Sequence, residues 1–384
     1  MKKKTKSIVL TAVLSLSLLG FATAESTIIN SMDFQGQAIE LTLDKAIEVG
    51  LEDNVTIEKS EIDIEKADVD ADKLSKSIKK AKKASNSYAQ EGTISNIELM
   101  KIPDLQEAFL VDNAKRNHEV TIVSLKSKIE ESYFQLLQAE EMVSINKENL
   151  EITEDLYNKT KQKFDLGLVT KQEVLQSEFN VQEAENKYRA SQDTVKKATM
   201  ALNVELGYDV MTNIELKDEL GYKDYEGTDL AEAISKALVT RNEIKASEYS
   251  YELAKLKFDA ADKKYTENVF DHRDATVTLK KAEEDLKNTR KLIEMEIRVN
   301  YLDVLQKQED IKAGEKSVEL AEEALRLTKS SYDVGMSVLT DVQKAQNTLL
   351  SAKLGLSQNI LDYNLAVLTL EDSTGVGRTT ISGN

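Results

Sequence analysis

Two five-residue stretches, FDLGL at residues 164–168 and YDVGM at residues 332–336, decide the fold of this sequence. Each is an aromatic residue, an aspartate and an apolar residue, followed by glycine and a second apolar residue. They lie 168 residues apart, and the same register places Tyr133 on Tyr301 and Gly207 on Gly375 without a gap. Solenoid arrays repeat every 20 to 50 residues or so, and the much longer period here predicts a duplicated module.

Apolar residues recur every seven positions on both sides of each glycine. The stripes before the glycines are Ile129, Leu136, Val143, Leu150, Tyr157 and Phe164 in the first copy, and Ile297, Val304, Ile311, Val318, Leu325 and Tyr332 in the second. The stripes after the glycines are Val174, Val181, Tyr188, Val195 and Leu202, and Val342, Leu349, Leu356, Tyr363 and Leu370. This spacing is typical of a coiled-coil seam, so each glycine is predicted to be the turn between two antiparallel helices. An arm from Ile122 to Leu166 would be roughly 65 Å long.

An upstream repeat completes the predicted organisation. Leu43 aligns with Leu230 and Leu51 with Leu238 at a separation of 187, so the first copy carries 19 additional residues between its leading and main helices. The fold class is all-α, with two tandem long coiled-coil helical hairpins per chain. The predicted segments are a signal peptide at 1–24, an N-terminal extension at 25–40, a first hairpin repeat at 41–207, a linker at 208–227, a second hairpin repeat at 228–375 and a C-terminal tail at 376–384.

The first residues predict export. Four lysines among residues 2–6 precede an apolar run at 8–21 and the small-residue site Ala22-Thr23-Ala24, which is typical of a cleaved secretory signal with a mature N-terminus at Glu25. The apolar run is shorter than the roughly 20 residues of a spanning helix, and no later stretch is apolar enough to replace it. The absence of cysteine excludes disulfides and thiolate metal sites.

The net charge argues against anionic partners. Without the four lysines of the signal, 47 basic residues face 68 acidic ones, a net charge of −21. Because acidic residues outnumber basic ones, we expect no binding to nucleic acid or to anionic lipid.

The opening motif and the turns together carry a family resemblance. Residues 41–47 read LTLDKAI, close to a pattern L-T-L-x-x-A-I, and the second turn is followed by Asp341-Val342. With two aromatic-x-x-G turns in the right order, the sequence resembles the TolC-like outer-membrane efflux proteins over most of residues 41–375. The resemblance implies a homotrimer whose long helices form one tunnel, which meets an adaptor (membrane fusion) protein and an inner-membrane pump at the hairpin tips. It implies no cofactor and no enzymatic activity.

The resemblance also points to site residues. Gly167, Leu168, Gly335 and Met336 are the predicted adaptor-docking tips, because an apolar residue exposed at the end of a hairpin usually marks a contact. The alternative is that the glycines serve only the turn and the apolar residues pack between adjacent tips.

The family closes its tunnel near the second turn with tyrosine, arginine and aspartate side chains. Tyr332 and Asp341 match the tyrosine and the first aspartate, whereas Ser337 stands at the arginine position and Lys344 at the second aspartate. Tyr332, Asp341 and Lys344 are therefore the gate candidates, with an Asp341 to Lys344 pair as a substitute for the arginine clamp.

One departure from the family concerns membrane-spanning strands. Such a strand needs about 9 to 11 alternating residues. Residues 264–280 read KYTENVFDHRDATVTLK, and residues 85–118 offer only a short apolar patch at 94–102 before Pro103. We expect the transmembrane β-strands to be missing or reduced to a short cap.

His118 and His272 are the only histidines, and neither has a carboxylate at H-x-x-E spacing. We expect solvated side chains, no metal site and no catalytic residues.

Three functions compete. The first is a conduit that receives substrate from a pump through an adaptor, and the second is an envelope structural or adhesion protein that keeps the hairpins without transporting anything. The third, an adaptor, is excluded because adaptors carry one hairpin between glycine-rich β-domains, whereas this chain has two hairpins and only 14 glycines. The predicted location is the cell envelope: the outer membrane by resemblance, with the periplasm and the cell wall as alternatives.

Overall fold

A computed structural model describes residues 34–52, 54–84, 93–225 and 229–381. The predicted signal peptide at 1–24 and the mature N-terminus at Glu25 lie outside these residues. In the described part of the chain, no helix is both long enough and apolar enough to cross a bilayer.

Helices dominate the described chain and form two tandem hairpins, which confirms the predicted fold class. The first copy contains β1 (Gln35–Leu41), α1 (Leu43–Leu51), α2 (Val55–Ala84), α3 (Ile94–Asn96), a π-helical turn (Ile97–Lys101), α4 (Ile102–Asp165) and α5 (Lys171–Glu205). The second contains β2 (Thr212–Leu216), α6 (Leu230–Thr240), α7 (Asn242–Lys264), α8 (Phe270–Asp333) and α9 (Leu339–Ser373).

The leading helix of each copy starts at a side-chain cap. The Thr42 hydroxyl accepts from the Lys45 N–H at 3.4 Å, and the Asp229 carboxylate accepts from the Ala231 N–H at 2.9 Å. These bonds satisfy N–H groups that the first helical turn leaves without a partner. The threonine of the opening motif is thus a helix start signal.

Helix α4 begins where the sequence has its single proline. Pro103 lies in the first turn of α4, directly after the π-helical turn. Proline is tolerated there because its missing N–H would have no helical acceptor. From Ile102 the helix continues for 64 residues, about 95 Å at 1.5 Å per residue, and so exceeds the predicted arm.

The predicted seams are buried over most of their length in the second copy and over less than half of it in the first. Ile129 in the first copy and Ile297, Val304 and Ile311 in the second are fully buried where α4 packs on α5 and α8 on α9. Val143 and the two seam positions that follow it are only half-buried, and Phe164 is exposed.

In the half of α4 nearer the turn, burial shifts to the small and polar residues of a neighbouring stripe. Asn146, Thr153 and Thr160 are buried there. The reason is a second partner: α9 of the other hairpin also packs on α4, and Gln346 Nε2 donates to Thr153 Oγ1 at 2.6 Å. Small side chains let the two hairpins approach closely.

Two short strands were not predicted. β1 and β2 form a parallel pair that places Ile39 opposite Ile214 and Leu41 opposite Leu216. β1 lies in the predicted N-terminal extension except for its last residue, Leu41, and β2 lies in the predicted linker. Their pairing spans more than 170 residues of sequence, so the local pattern of either strand carries little signal for it.

The end of each hairpin opposite its glycine turn is helical in the described residues. α7 ends at Lys264 and α8 starts at Phe270, so the segment 264–280 is helix, turn and helix. In the first copy, residues 94–118 are helical, whereas 85–92 lie outside the described residues. The patch at 94–102 is therefore not a strand.

A strap formed by residues 376–381 joins the two copies. Asn242 at the start of α7 donates from Nδ2 to the Thr379 carbonyl at 3.1 Å and to Asn117 Oδ1 on α4 at 3.0 Å. Asn117 Oδ1 also accepts from the Ile381 N–H at 2.9 Å. The strap thus connects α4 of the first copy to α7 of the second.

Candidate docking and gating site at the hairpin tips

The two turns have the same backbone geometry. Gly167 and Gly335 adopt φ angles of +73° and +78°, in the left-handed region that favours glycine. The Leu168 N–H bonds the Lys163 carbonyl at 2.9 Å, and the Met336 N–H bonds the Ser331 carbonyl at 2.8 Å. This is the Schellman arrangement that ends many helices, so the glycines are required by the turn whatever the tips bind.

The apolar residues after the glycines are not explained by the turn. In a Schellman motif this residue commonly packs on the side chain whose carbonyl it bonds. Here those side chains belong to Lys163 and Ser331, which are polar, and Leu168 and Met336 remain 70% and 83% exposed. Within one chain, neither Leu168 nor Met336 is therefore buried against the adjacent tip.

Further apolar side chains lie at the tips and were missed by the sequence analysis. Leu166 and Val334, which precede the glycines, are 74% and 71% exposed, and Val338 is 58% exposed. The signal was available, because both copies place an apolar residue on each side of the glycine. Residues 166–168 and 334–338, called the tips below, each present an apolar surface to solvent.

The tips lie side by side, and Tyr332 joins them. Tyr332 is buried, its hydroxyl lies 3.2 Å from Thr160 Oγ1, and its ring centroid lies 3.6 Å from Lys163 Nζ. Lys163 Nζ also donates to the Tyr332 carbonyl. Tyr332, a predicted gate residue, thus contacts the first hairpin of its own chain through two residues that the sequence analysis did not single out.

Asp341 caps a helix in this structure. Its carboxylate accepts from the Val338 N–H at 3.2 Å and from Ser337 Oγ at 2.9 Å, at the start of α9. This is the reach-back half of a capping box. Lys344 is exposed one turn later, and among the described residues it forms no ion pair with Asp341. The suggested substitute for the arginine clamp is not formed within one chain.

Two exposed apolar stripes run along the hairpins. The α8 stripe consists of Leu292, Met295, Val299 and Leu302, which are 49% to 63% exposed. The α2 stripe consists of Val55, Ile62 and Val69, which are 54% to 61% exposed and spaced seven residues apart. Seams with this spacing normally face another helix, and the described residues of this chain leave both stripes exposed.

The histidines differ from expectation. His272 is buried, with Nε2 3.1 Å from Asp262 Oδ1, and His118 Nδ1 lies 2.7 Å from Ser60 Oγ. The prediction of solvated histidines is wrong for His272, because α7 and α8 pack around it. In the residues that the structure covers, no group of three or more His, Cys, Asp or Glu side chains is arranged to hold a metal ion.

One family model matches the sequence. Residues 270–376, which contain α8, the second tip and α9, match the family described as Outer membrane efflux protein. The match spans less than half of the chain. A sequence comparison with curated proteins gives no match.

Solved structures extend the likeness to most of the chain. The outer membrane protein VceC from Vibrio cholerae is 14% identical with a TM-score of 0.69, and the alignment covers 88% of this chain and 97% of VceC. The CmeC outer membrane channel of Campylobacter jejuni is 15% identical with a TM-score of 0.68, covering 87% and 86%. A membrane protein from Pseudomonas aeruginosa is 13% identical with a TM-score of 0.68, covering 87% and 90%. The fold is that of these proteins, and the resemblance to TolC-like proteins is confirmed.

Proposed function

We propose, since its second hairpin matches the outer membrane efflux family and its fold is TolC-like, that this protein is one subunit of a trimeric efflux conduit in the cell envelope. The subunit performs no covalent chemistry. Its tips dock an adaptor protein, which links the tunnel to an inner-membrane pump. The observation that carries the proposal is the pair of adjacent tips with exposed apolar residues on both sides of each glycine.

The tips are suited to docking because their apolar surface is presented by a rigid backbone. Each turn is fixed by two backbone hydrogen bonds, and Tyr332 ties one hairpin to the other. Burial of a large apolar side chain contributes about 1.5 to 3 kcal/mol, so several such contacts around one mouth would add up to firm binding.

Self-assembly is supported by the two exposed stripes. The α8 stripe and the α2 stripe lie on different helices of one chain. Contact between the α8 stripe of one subunit and the α2 stripe of the next subunit is therefore heterologous. A heterologous contact that closes produces a ring. A ring of helical hairpins encloses a tunnel, which is the geometry that a conduit requires.

The proposal is tested at the tips. Leu168→Asp combined with Met336→Asp should abolish binding of the purified protein to an adaptor encoded beside it, measured by surface plasmon resonance. Both side chains are exposed, so the variant should keep the native mass and helix content of the parent. A matched control is Leu175→Asp, which changes a 53% exposed leucine on α5 beyond the turn and should leave binding intact.

Unchanged adaptor affinity in the double variant would contradict tip docking. In that case the alternative, an envelope structural or adhesion protein that does not transport, would be the better account of the same hairpins.

A further inference from the structure

The acidic and basic residues of this chain are unevenly distributed. Residues 73–84, the last three turns of α2, contain six lysines and no aspartate or glutamate. Four of them, Lys76, Lys79, Lys80 and Lys83, are exposed, and none forms an ion pair within the described residues. We call these four side chains the basic band. The net charge of the chain argues against anionic partners, but this segment carries the opposite charge.

The basic band is unlike the other charged helix surfaces of the protein. On other helices several lysines pair with acids three or four positions away, as in Lys187 with Glu183 and Lys312 with Glu309, both at 2.8 Å. Lys79, Lys80 and Lys83 have no acidic residue at those distances in sequence. Instead Lys76 faces Lys80 and Lys79 faces Lys83 at i,i+4 spacing, which destabilises a helix.

Helix stability does not account for the band. Lysine near a helix C-terminus interacts favourably with the helix dipole, but the effect fades within the last turn. Lys76 is eight residues before the end of α2 at Ala84. Lys73 is excluded from the band because it pairs with Asp70 at 2.7 Å. The remaining lysines repel one another in the free protein, and an anionic partner would relieve that repulsion.

An exposed aromatic side chain lies at the same end of the molecule. Phe270, the first residue of α8, is 84% exposed. The π-helical turn packs on both α2 and α7, and Glu98 in that turn lies 3.6 Å from Lys264 at the end of α7. The band and Phe270 therefore belong to one distal end, opposite the tips. Lysines and an exposed aromatic ring at the same end of a molecule fit the boundary between lipid headgroups and acyl chains.

We propose that the distal end docks on the surface of a bilayer that contains anionic phospholipid. Lys76, Lys79, Lys80 and Lys83 contact the headgroup phosphates, and Phe270 inserts at the level of the acyl-chain boundary. Each lysine near such a surface adds attraction that is screened by salt. This surface is separate from the tips, and its binding does not depend on adaptor docking.

Vesicle co-sedimentation of the purified full-length mature protein tests the proposal. The parent should bind vesicles of phosphatidylcholine mixed with phosphatidylglycerol. It should bind far less to vesicles of phosphatidylcholine alone. The combined change Lys76→Gln, Lys79→Gln, Lys80→Gln and Lys83→Gln should weaken binding by roughly a hundredfold or more. Phe270→Ser should weaken it by about tenfold while the salt dependence persists. All five side chains are exposed, and circular dichroism checks the fold of each variant.

A control of equal charge change separates the band from net charge. The combined change Lys128→Gln, Lys147→Gln, Lys161→Gln and Lys197→Gln alters four exposed lysines on α4 and α5 and should leave vesicle binding within about twofold. The band variant should keep the native mass and adaptor affinity of the parent, so failure of lipid docking is distinguishable from failure of the conduit.

Three results would overturn lipid docking. The first is no binding of the parent to the anionic vesicles, and the second is equal weakening by the band and the control variants. The third is binding to inorganic polyphosphate without binding to vesicles, which would assign the band to a soluble or wall-bound polyanion.

Discussion

Ile311 closes the seam of the second hairpin. It has no exposed surface and packs in a cluster with Val304 and Tyr363, between α8 and α9. Val143, the predicted counterpart in the first hairpin, is only half-buried. The reason is that α4 packs on both α5 and α9, and the contact with α9 buries a neighbouring stripe. The two seams are therefore unequal at this level.

Ile311→Asp should lower the free energy of unfolding by about 3 kcal/mol or more, because it places an unpaired charge in the seam. Val143→Asp should cost about 1 to 2 kcal/mol, since water reaches that side chain. Urea unfolding followed by circular dichroism measures both, with Ser317→Asp at an exposed position of α8 as the control. Equal losses in the two seam variants would contradict the unequal burial.

Arg241 holds an ionic cluster at the start of α7. Its guanidinium is buried and donates to Glu243 at 2.7 Å, to Glu296 at 3.0 Å and to the Ser373 carbonyl at 3.1 Å. Burial alone would raise the pKa of the Glu243 carboxyl, but the hydrogen bonds that the carboxylate accepts from Arg241, from the backbone and from Thr379, together with the charge of Arg241, outweigh burial and hold that pKa below its ordinary value of 4.5. Glu243 is thus ionised in the folded chain at a pH where the unfolded chain has taken up the proton.

The lowered pKa predicts a loss of stability in acid. The contribution of Glu243 is fully present above its ordinary pKa and disappears as the pH falls through the lowered value. Glu243→Gln should remove that part of the pH dependence and lower stability at neutral pH. The measurement is the urea midpoint between neutral pH and about pH 3, with the exposed carboxylate variant Glu61→Gln for comparison. A pH profile identical to that of the parent would show that the Arg241 pair contributes nothing.

At the scale of elements, the strap is the connection that the repeat pattern does not contain. Residues 376–381 follow the last residue of the repeat register and still bond α4 and α7 through Asn117 and Asn242. Asn242 is fully buried, and Arg116 Nε donates to its Oδ1 at 3.1 Å. One side chain on α7 therefore satisfies groups on two other segments, α4 and the strap.

Asn242→Ala should cost about 2 to 4 kcal/mol, because it removes the hydrogen bonds that the buried Asn242 amide makes with Arg116, Asn117 and the Thr379 carbonyl. Asn347→Ala, at an exposed position of α9, is the matched control and should change stability by less than about 0.5 kcal/mol. Chemical denaturation gives both values. A loss no larger than that of the control would show that the strap does not hold the two copies together.

The elements differ in how far sequence can predict them. The long hairpins and their turns were predictable because heptads and glycines carry local signals for coiled coils and reversals. The pair of β1 and β2, the strap and the burial of His272 were not, since each depends on contacts between segments far apart in sequence. At the tips, the exposed leucine and methionine were predictable, whereas the contact of Tyr332 with Lys163 and Thr160 required the packing of two hairpins.

At the scale of the whole molecule, we infer that one chain is an incomplete wall of a tunnel. The α8 and α2 stripes together expose seven large apolar residues at helical spacing. Burying these residues between subunits stabilises an assembly by the hydrophobic effect without changing the fold of the subunit. The assembly should therefore be stable in the purified mature protein.

The inference is tested by the native mass of the purified protein, measured by light scattering coupled to size exclusion. The parent and the exposed control Thr194→Asp on α5 should have the mass of three chains. Met295→Asp combined with Leu302→Asp should have the mass of one folded chain, because two charges in the α8 stripe oppose its burial. A parent that elutes with the mass of a single chain at every protein concentration would contradict the tunnel.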